Sequence, residues 1–212
     1  MDNSGAKNIM VRVKAIRQGH FVLTSGLHAD TYVNKDAIYP HTRDIKMLCW
    51  ELATNFCYVP PLATRVIAPE KGGIILSQWV ADAMSEIMGR EVLALYAEKT
   101  DNGGFTVKRG YDQYIPGQNI LVVEDVLTTG GSARKVIEVT RSFGGKVVGL
   151  GVLCNRGNVT PEQVGNVEIT ALTNLTLPTY EADACPLCAK GIPINTDVGK
   201  GKEFLESQKR RD

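Results

Sequence analysis

The sequence predicts an α/β fold in which a parallel sheet is flanked by helices. Short apolar, β-prone runs alternate with amphipathic helical patterns between residues 45 and 154. Strands and helices in this alternation are joined by right-handed crossovers, which place helices on both faces of the sheet. The chain of 212 residues, 43% of them hydrophobic, is long enough to bury the core of one domain.

The segment before the sheet predicts a small separate element. Residues 10–16 are weakly amphipathic and predict a short helix. Residues 21–24 and 31–34 are β-prone and flank Ser25-Gly26, which predicts a hairpin-like pair of strands.

The sheet itself is predicted from four apolar runs and three helical patterns. Thr42 is a fair cap for the first helix, Gly89 ends the second, and Gly144-Gly145 ends the third. The predicted strands are 66–68, 92–97, 120–123 and 147–154, and the predicted helices are 45–56, 74–88 and 133–143. From about residue 167 the pattern is mixed, and the charged residues 200–212 are expected to form a solvated or fraying end.

The charge and apolar patterns argue against two classes of partner. Lysine and arginine number 24 against 23 acidic residues, so the net charge is +1 and nucleic acid is not an expected partner. The sequence has no run of 18 apolar residues and no signal-peptide core, so we expect no membrane partner and a cytoplasmic location. The five cysteines are then expected to be reduced.

Residues 120–132, ILVVEDVLTTGGS, carry the clearest chemical signal. A buried strand ends in Glu124 and Asp125, and a hydroxyl- and glycine-rich turn then opens a helix. Ligands of open α/β sheets bind at the carboxyl ends of strands, and backbone N–H groups at a helix start bind anions. A phosphate is therefore predicted on residues 128–132, and the absence of a GK[ST] triplet argues against a nucleotide P-loop. Two acids beside a phosphate site favour a sugar phosphate over the alternative of two solvated acids at a strand end.

The same thirteen residues resemble the phosphoribosyl pyrophosphate (PRPP) signature of type I phosphoribosyltransferases. Within that family, four further segments resemble the orotate enzymes: residues 21–40 their hood, 68–73 their pyrophosphate loop, 96–111 their mobile catalytic loop, and 185–201 a carboxy-terminal segment of one bacterial and archaeal branch. The resemblance implies one phosphoribosyltransferase domain over residues 1–212. Its core would cover about residues 41–170, and its hood about residues 1–40 plus the carboxy-terminal segment.

The resemblance also implies an activity. A pentosyltransferase of this kind moves the 5-phosphoribosyl group from PRPP to orotate, releases pyrophosphate and forms orotidine 5'-monophosphate for pyrimidine nucleotide synthesis. It implies Mg²⁺ as cofactor, held mainly by PRPP and water with no metal ligand from the protein, and a homodimer.

Site residues follow from the resemblance position by position. Glu124 and Asp125 would bind the ribose hydroxyls, Lys71 the pyrophosphate and Arg156 the orotate, while Lys99 would act with Asp125 in catalysis and Tyr32 would contact substrate. The 5-phosphate loop would be Val126, Leu127, Thr128, Thr129, Gly130, Gly131 and Ser132. Generic alternatives stay open for three of these: a surface lysine for Lys71, a solvent arginine for Arg156, and a plain β-turn after Lys99.

Two rival functions and one unassigned motif remain. A transferase for a purine or another base is favoured by Thr24, which stands where many orotate enzymes have lysine. A PRPP-sensing regulator is the second rival, and Lys71 and the neutral charge count against it.

Cys185 and Cys188 form a single CxxC, for which a packing role is favoured and zinc is second, because a structural zinc site needs four ligands. His28 lies in the hood segment, where it could reach the pyrimidine pocket or be structural.

Overall fold

The computed structural model describes residues 4–23 and 25–208. Within these two ranges the chain forms six α-helices and nine β-strands. The helices are α1 (Ser4–Arg12), α2 (Thr42–Thr54), α3 (Gly72–Met88), α4 (Gly131–Ser142), α5 (Pro186–Ala189) and α6 (Gly201–Gln208). The strands are β1 (Ile16–Val22), β2 (His28–Val33), β3 (Arg65–Pro69), β4 (Leu93–Lys99), β5 (Phe105–Thr106), β6 (Asn119–Leu127), β7 (Lys146–Asn155), β8 (Ile169–Asn174) and β9 (Thr179–Tyr180).

The larger sheet has the strand order β5-β4-β3-β6-β7-β8. Neighbouring strands from β4 to β8 are parallel, whereas the short edge strand β5 runs antiparallel to β4. The predicted α/β fold with a parallel sheet flanked by helices is therefore confirmed, with one antiparallel strand added at the edge.

Strand β6 shows how the two faces of this sheet are covered. Leu121 and Val123 pack in one buried cluster with α2 and α3, whereas Ile120 and Val122 pack in a second cluster with α4. Successive side chains of a strand point to opposite faces, so a strand buried on both faces reads as a continuous apolar run. This is why residues 120–123 appear in the sequence as an unbroken apolar run.

A second, three-stranded sheet has the order β1-β2-β9 and is antiparallel. It joins the amino-terminal segment to the end of the chain, because β9 pairs with β2 and the backbone of Ile194 forms a bridge with His20. The N–H of Lys200 also donates to the carbonyl of Val22, at 2.8 Å. Residues predicted for the hood and for the carboxy-terminal segment thus meet in one sheet.

A predicted helix boundary near the start of the chain and a predicted fraying end are corrected by the structure. Helix α1 ends at Arg12 rather than extending over residues 10–16, because Lys14 adopts a left-handed φ of 59° and Ile16 starts a strand. Residues 201–208 form a helix rather than a fraying end, although most of them are exposed, as expected for a solvated end. Phe204 of this helix packs edge-on against His28 with 4.9 Å between ring centroids. Residues 209–212 and Thr24, the position that favoured another base, lie outside the described residues.

None of the helices within residues 4–23 and 25–208 is both long and apolar enough to cross a bilayer.

Candidate active site

The predicted phosphate loop forms the junction between β6 and α4. Gly130 takes a left-handed φ of 73° directly before the helix, and a Cβ there would lie 2.8 Å from the side chains of Val159 and Val164. The first N–H groups of a helix have no acceptor within it, so they are available to an anion. A pocket of about 140 Å³ lies over this junction, and it is lined by Lys35, Glu124, Val126, Leu127, Thr128, Thr129, Gly130, Gly131, Ser132 and Ala133.

The two acids lie within β6 rather than after its end. The strand continues to Leu127 because β7 pairs with it as far as Leu127 opposite Asn155. Glu124 and Asp125 are almost fully buried, with 6% and 1% of their surface exposed. The prediction of a strand ending at the acids is therefore wrong, although the acids stand next to the phosphate loop as predicted.

Lys35 and Tyr39, which follow β2, hold the Asp125 carboxylate. Lys35 Nζ donates to Asp125 Oδ1 at 3.3 Å and lies 3.2 Å from Oδ2, while Tyr39 Oη donates to Oδ2 at 3.0 Å. The N–H of Val126 also donates to Oδ1, at 2.8 Å. Sequence reasoning did not single out Lys35 or Tyr39. Their only local signal was a basic and an aromatic residue soon after a β-prone run, and 86 to 90 residues separate them from Asp125.

The buried acids shift the ionisation of this group of side chains. Burial, and then the charge of Asp125, raises the pKa of Glu124 to about 8. The pKa of Tyr39 is raised by burial and by the same carboxylate. Burial alone would lower the pKa of Lys35, but its ion pair with Asp125 and the charge of Glu124 outweigh that and raise it. Lys35 therefore stays charged beside the acids.

Lys71 lies in the turn between β3 and α3, next to the acid pair. The Glu70–Lys71 peptide bond is cis, and Lys71 is exposed. A Cβ on Gly72 would lie 2.8 Å from Asp125 Oδ2 and 3.1 Å from the Tyr39 ring. The fold thus brings the turn that carries Lys71 into contact with the predicted ribose-binding acid.

Arg156 lies at the end of β7 and contacts the phosphate loop. Its Nε donates to Thr128 Oγ1 at 2.9 Å, and its backbone N–H donates to the carbonyl of Leu127 at 3.0 Å. The next residue, Gly157, lies so close that a Cβ would be 1.7 Å from the Thr128 carbonyl oxygen. Arg156 is therefore brought to the site, and its contact with orotate stays a prediction.

Lys99 lies in a β-hairpin at the edge of the larger sheet, and Tyr32 lies in the small sheet. Lys99 ends β4 and pairs with Phe105 of β5, so residues 99–106 form a β-hairpin, and Lys135 Nζ donates to the carbonyl of Gly103 at its turn. Tyr32 packs on Phe21 in the small sheet, with ring centroids 5.5 Å apart. In the described part of the chain neither side chain lines the pocket over the phosphate loop. Their predicted roles stay predictions.

Comparison with known proteins identifies the family of this chain. The family model described as a phosphoribosyl transferase domain matches residues 38–171, which is more than half of the chain. The chain belongs to this family. The matched range begins just after Lys35 and includes the phosphate loop, the acid pair and Lys71.

The similar proteins of this family include orotate enzymes. The chain is 39% identical over 186 residues to the orotate phosphoribosyltransferase of Desulforamulus reducens, with 88% of this chain and 91% of that protein covered. It is 40% identical over 185 residues to the one from Pelotomaculum thermopropionicum, with 87% and 91% covered. A crystal structure of the orotate phosphoribosyltransferase from Aeropyrum pernix matches with a TM-score of 0.60 and 25% identity, over 80% of this chain and 93% of that one. The predicted family and its orotate branch are thus confirmed.

Proposed function

We propose that this chain transfers the 5-phosphoribosyl group of PRPP to orotate, forming orotidine 5'-monophosphate and pyrophosphate. One observation carries the proposal. The phosphate loop, the acid pair and the turn that carries Lys71 meet at the carboxyl ends of β3 and β6, which matches the three parts of PRPP: 5-phosphate, ribose and pyrophosphate.

The residues have distinct tasks in this proposal. The start of α4 binds the 5-phosphate through N–H groups of its first turn. Glu124 and Asp125 accept hydrogen bonds from the ribose hydroxyls, and Lys35 pairs with the Asp125 carboxylate and balances its charge. Lys71 meets the negative charge that grows on the departing pyrophosphate, and catalysis consists mainly of positioning and charge stabilisation.

Mg²⁺ is part of the proposal as an ion bound mainly to the substrate. The Asp125 carboxylate already accepts hydrogen bonds from Lys35, Tyr39 and the Val126 N–H, so it is poorly placed to act as a metal ligand as well. This fits a hard cation that keeps several waters and binds phosphate oxygens. When bound, the ion would neutralise charge on the pyrophosphate.

The base subsite is assigned to the neighbourhood of Arg156 and the small sheet. The planar guanidinium can donate paired hydrogen bonds to a carboxylate, and orotate carries one. The small three-stranded sheet and the segment that returns to it are assigned the role of hood over this subsite. The proposal places the reaction in the cytoplasm, with no nucleic-acid partner.

A base panel tests the activity directly. The full chain is incubated with PRPP and Mg²⁺ together with orotate, uracil, adenine, hypoxanthine or guanine, and pyrophosphate release is followed. Release with orotate alone is expected. Release with another base and none with orotate would establish the rival transferase, and PRPP binding without release for any base would establish the regulator.

A homodimer with shared sites is the last part of the proposal. Exposed apolar side chains on α2 and at the start of α3, including Met47, Trp50 and Ile75, offer a surface for a second copy. If Lys99 acts on the neighbouring subunit, mixing inactive Lys99→Ala chains with inactive Asp125→Asn chains should restore activity, because one composite site is intact. Mixing Lys99→Ala with Lys99→Ala,Asp125→Asn chains is the control. A mixture that stays inactive after verified subunit exchange would show that Lys99 does not act across the interface.

A further inference from the structure

Two histidines of the small sheet and the two cysteines of the CxxC gather at one point in the part of the chain that the structure describes. The potential ligand atoms of His20, His28, Cys185 and Cys188 all lie within 4.8 Å of one another. His20, His28 and Cys185 are buried, with 1%, 0% and 3% of their surface exposed, whereas Cys188 is exposed. We propose that this cluster binds a structural zinc ion.

The spacing of the donor atoms supports a tetrahedral site. Cys185 Sγ lies 3.6 Å from His20 Nε2, and Cys188 Sγ lies 3.8 Å from the same atom and 3.4 Å from His28 Nδ1. Zinc bonds of about 2.3 Å to sulfur and about 2.0 Å to nitrogen put neighbouring donors of a tetrahedron about 3.3–3.8 Å apart. The two histidine nitrogens are closer, at 2.8 Å, so the rings must separate slightly when the ion binds.

The hydrogen bond of His20 prepares it as a ligand. Its Nδ1 lies 2.7 Å from the carbonyl oxygen of Ile192. A carbonyl only accepts, so Nδ1 carries a proton and Nε2 is the ring nitrogen left to bind a metal ion. Metal-bound histidines commonly fix their other nitrogen in this way.

The two chain segments place the other donors. Cys185 directly precedes α5 and Cys188 lies within it, and residues three apart in a helical turn lie on the same side. His28 begins β2, where its ring packs edge-on against Phe204 and its Nε2 is buried without a hydrogen-bond partner. The polar contact of His28 is therefore made by Nδ1, which faces the cluster.

The donor set selects the metal and its role. Two thiolates and two imidazoles in a tetrahedron are typical of zinc, and a site with four protein ligands leaves no position for a substrate. A single CxxC supplies only two of the four donors. A packing role was predicted because the sequence pattern did not show where the other two donors would come from. Two histidines from the other end of the chain supply the rest.

The ion would fasten the carboxy-terminal segment to the small sheet. It would link the two histidines to cysteines that lie 157 to 168 positions further along the chain, and constraints on loops this long restrict the unfolded chain strongly. None of the four ligands lines the pocket over the phosphate loop. The inference therefore does not depend on the proposed transferase reaction.

Metal content of the full chain is the first test. Protein produced with added zinc and purified under reducing conditions should contain one zinc per chain by elemental analysis. Co²⁺ put in its place should give the intense visible and near-ultraviolet absorption of tetrahedral thiolate coordination. Less than one zinc per ten chains, a cobalt spectrum without thiolate bands, or a Cys185–Cys188 disulfide in the reduced preparation would overturn the proposal.

Variants locate the ion. Cys188→Ser changes an exposed thiol and should fold, yet it should lose the zinc and the cobalt bands, and His20→Asn should do the same. Cys57→Ser, which removes a thiol elsewhere, should keep both. A chelator should lower the Tm of the parent and of Cys57→Ser but leave that of Cys188→Ser unchanged. Equal zinc content in Cys188→Ser and Cys57→Ser would contradict the assignment.

Discussion

Replacing Glu124 by Gln should make the stability of the unliganded protein much less dependent on pH. Glu124 is 6% exposed inside a strand, and burial followed by the charge of Asp125 raises its pKa to about 8. The unfolded chain leaves this carboxyl near the ordinary value of 4.5. Between these two values the folded protein holds a proton that the unfolded chain has lost.

The sign and size of the effect follow from that difference. The contribution of Glu124 to the free energy of unfolding is fully present below the unfolded pKa and declines as pH rises toward the folded pKa. A full separation from 4.5 to about 8 corresponds to about 4–5 kcal/mol, at about 1.4 kcal/mol per pH unit. Water entry and side-chain relaxation reduce this, so we expect a loss of about 2–4 kcal/mol in the parent protein between pH 5 and pH 9.

Urea unfolding at several pH values measures this loss. Glutamine keeps the shape of the side chain but cannot ionise, so Glu124→Gln should become more stable relative to the parent as pH rises. Taking the difference between the two proteins cancels the groups that do not interact with Glu124, including His28, whose pKa is lowered by burial and by His20. The control is Glu206→Gln, which removes an exposed carboxyl on α6. Its free energy of unfolding should vary with pH in parallel with that of the parent. A Glu124→Gln curve that also parallels the parent would refute the reasoning.

Three further predictions concern the site and its scaffold. Asp125→Asn should weaken PRPP use at least tenfold, because hydrogen bonds to a charged group contribute about 1.5–3 kcal/mol, and an unchanged PRPP titration would exclude Asp125 from ribose binding. Arg156→Lys should raise the KM for orotate while the affinity for PRPP changes less than threefold. An equal loss of affinity for orotate and PRPP would instead show that Arg156 supports the phosphate loop through its hydrogen bond to Thr128. Gly157→Ala should lower the Tm by several degrees, because its Cβ would lie 1.7 Å from a carbonyl oxygen, whereas Gly5→Ala has nothing within 4 Å and should not.

The parts of the site that are contiguous in sequence were the parts that sequence reasoning could predict. The acids and the phosphate loop lie within thirteen residues, and a strand followed by a glycine-rich helix start fixes their geometry locally. Lys35 and Tyr39 reach Asp125 only after the parallel sheet has formed, so no local pattern identifies them. His20 and His28 likewise meet the two cysteines of the CxxC only in the folded chain, so no local pattern in the sequence identifies this cluster.

Strand and helix boundaries depended on tertiary pairing in a similar way. Two acids usually mark the end of an apolar strand, yet β6 continues past Glu124 and Asp125 because β7 supplies hydrogen-bond partners as far as Asn155. The sequence left the segment after Lys99 open between a mobile loop and a plain β-turn. Pairing of β4 with β5 decides its local geometry, although not its role in catalysis.

The small sheet has a consequence for how the protein is made. Its strands come from residues 16–33 and 179–180, while every strand of the larger sheet lies between them. On a ribosome, the larger sheet has all its strands before β9 is synthesised, whereas the small sheet must wait for the end of the chain. A nascent chain stalled before residue 179 would thus carry the complete strand β6 and the phosphate loop proposed to bind PRPP, but an unfinished β2 edge. Completion of this edge would be one of the last steps in folding.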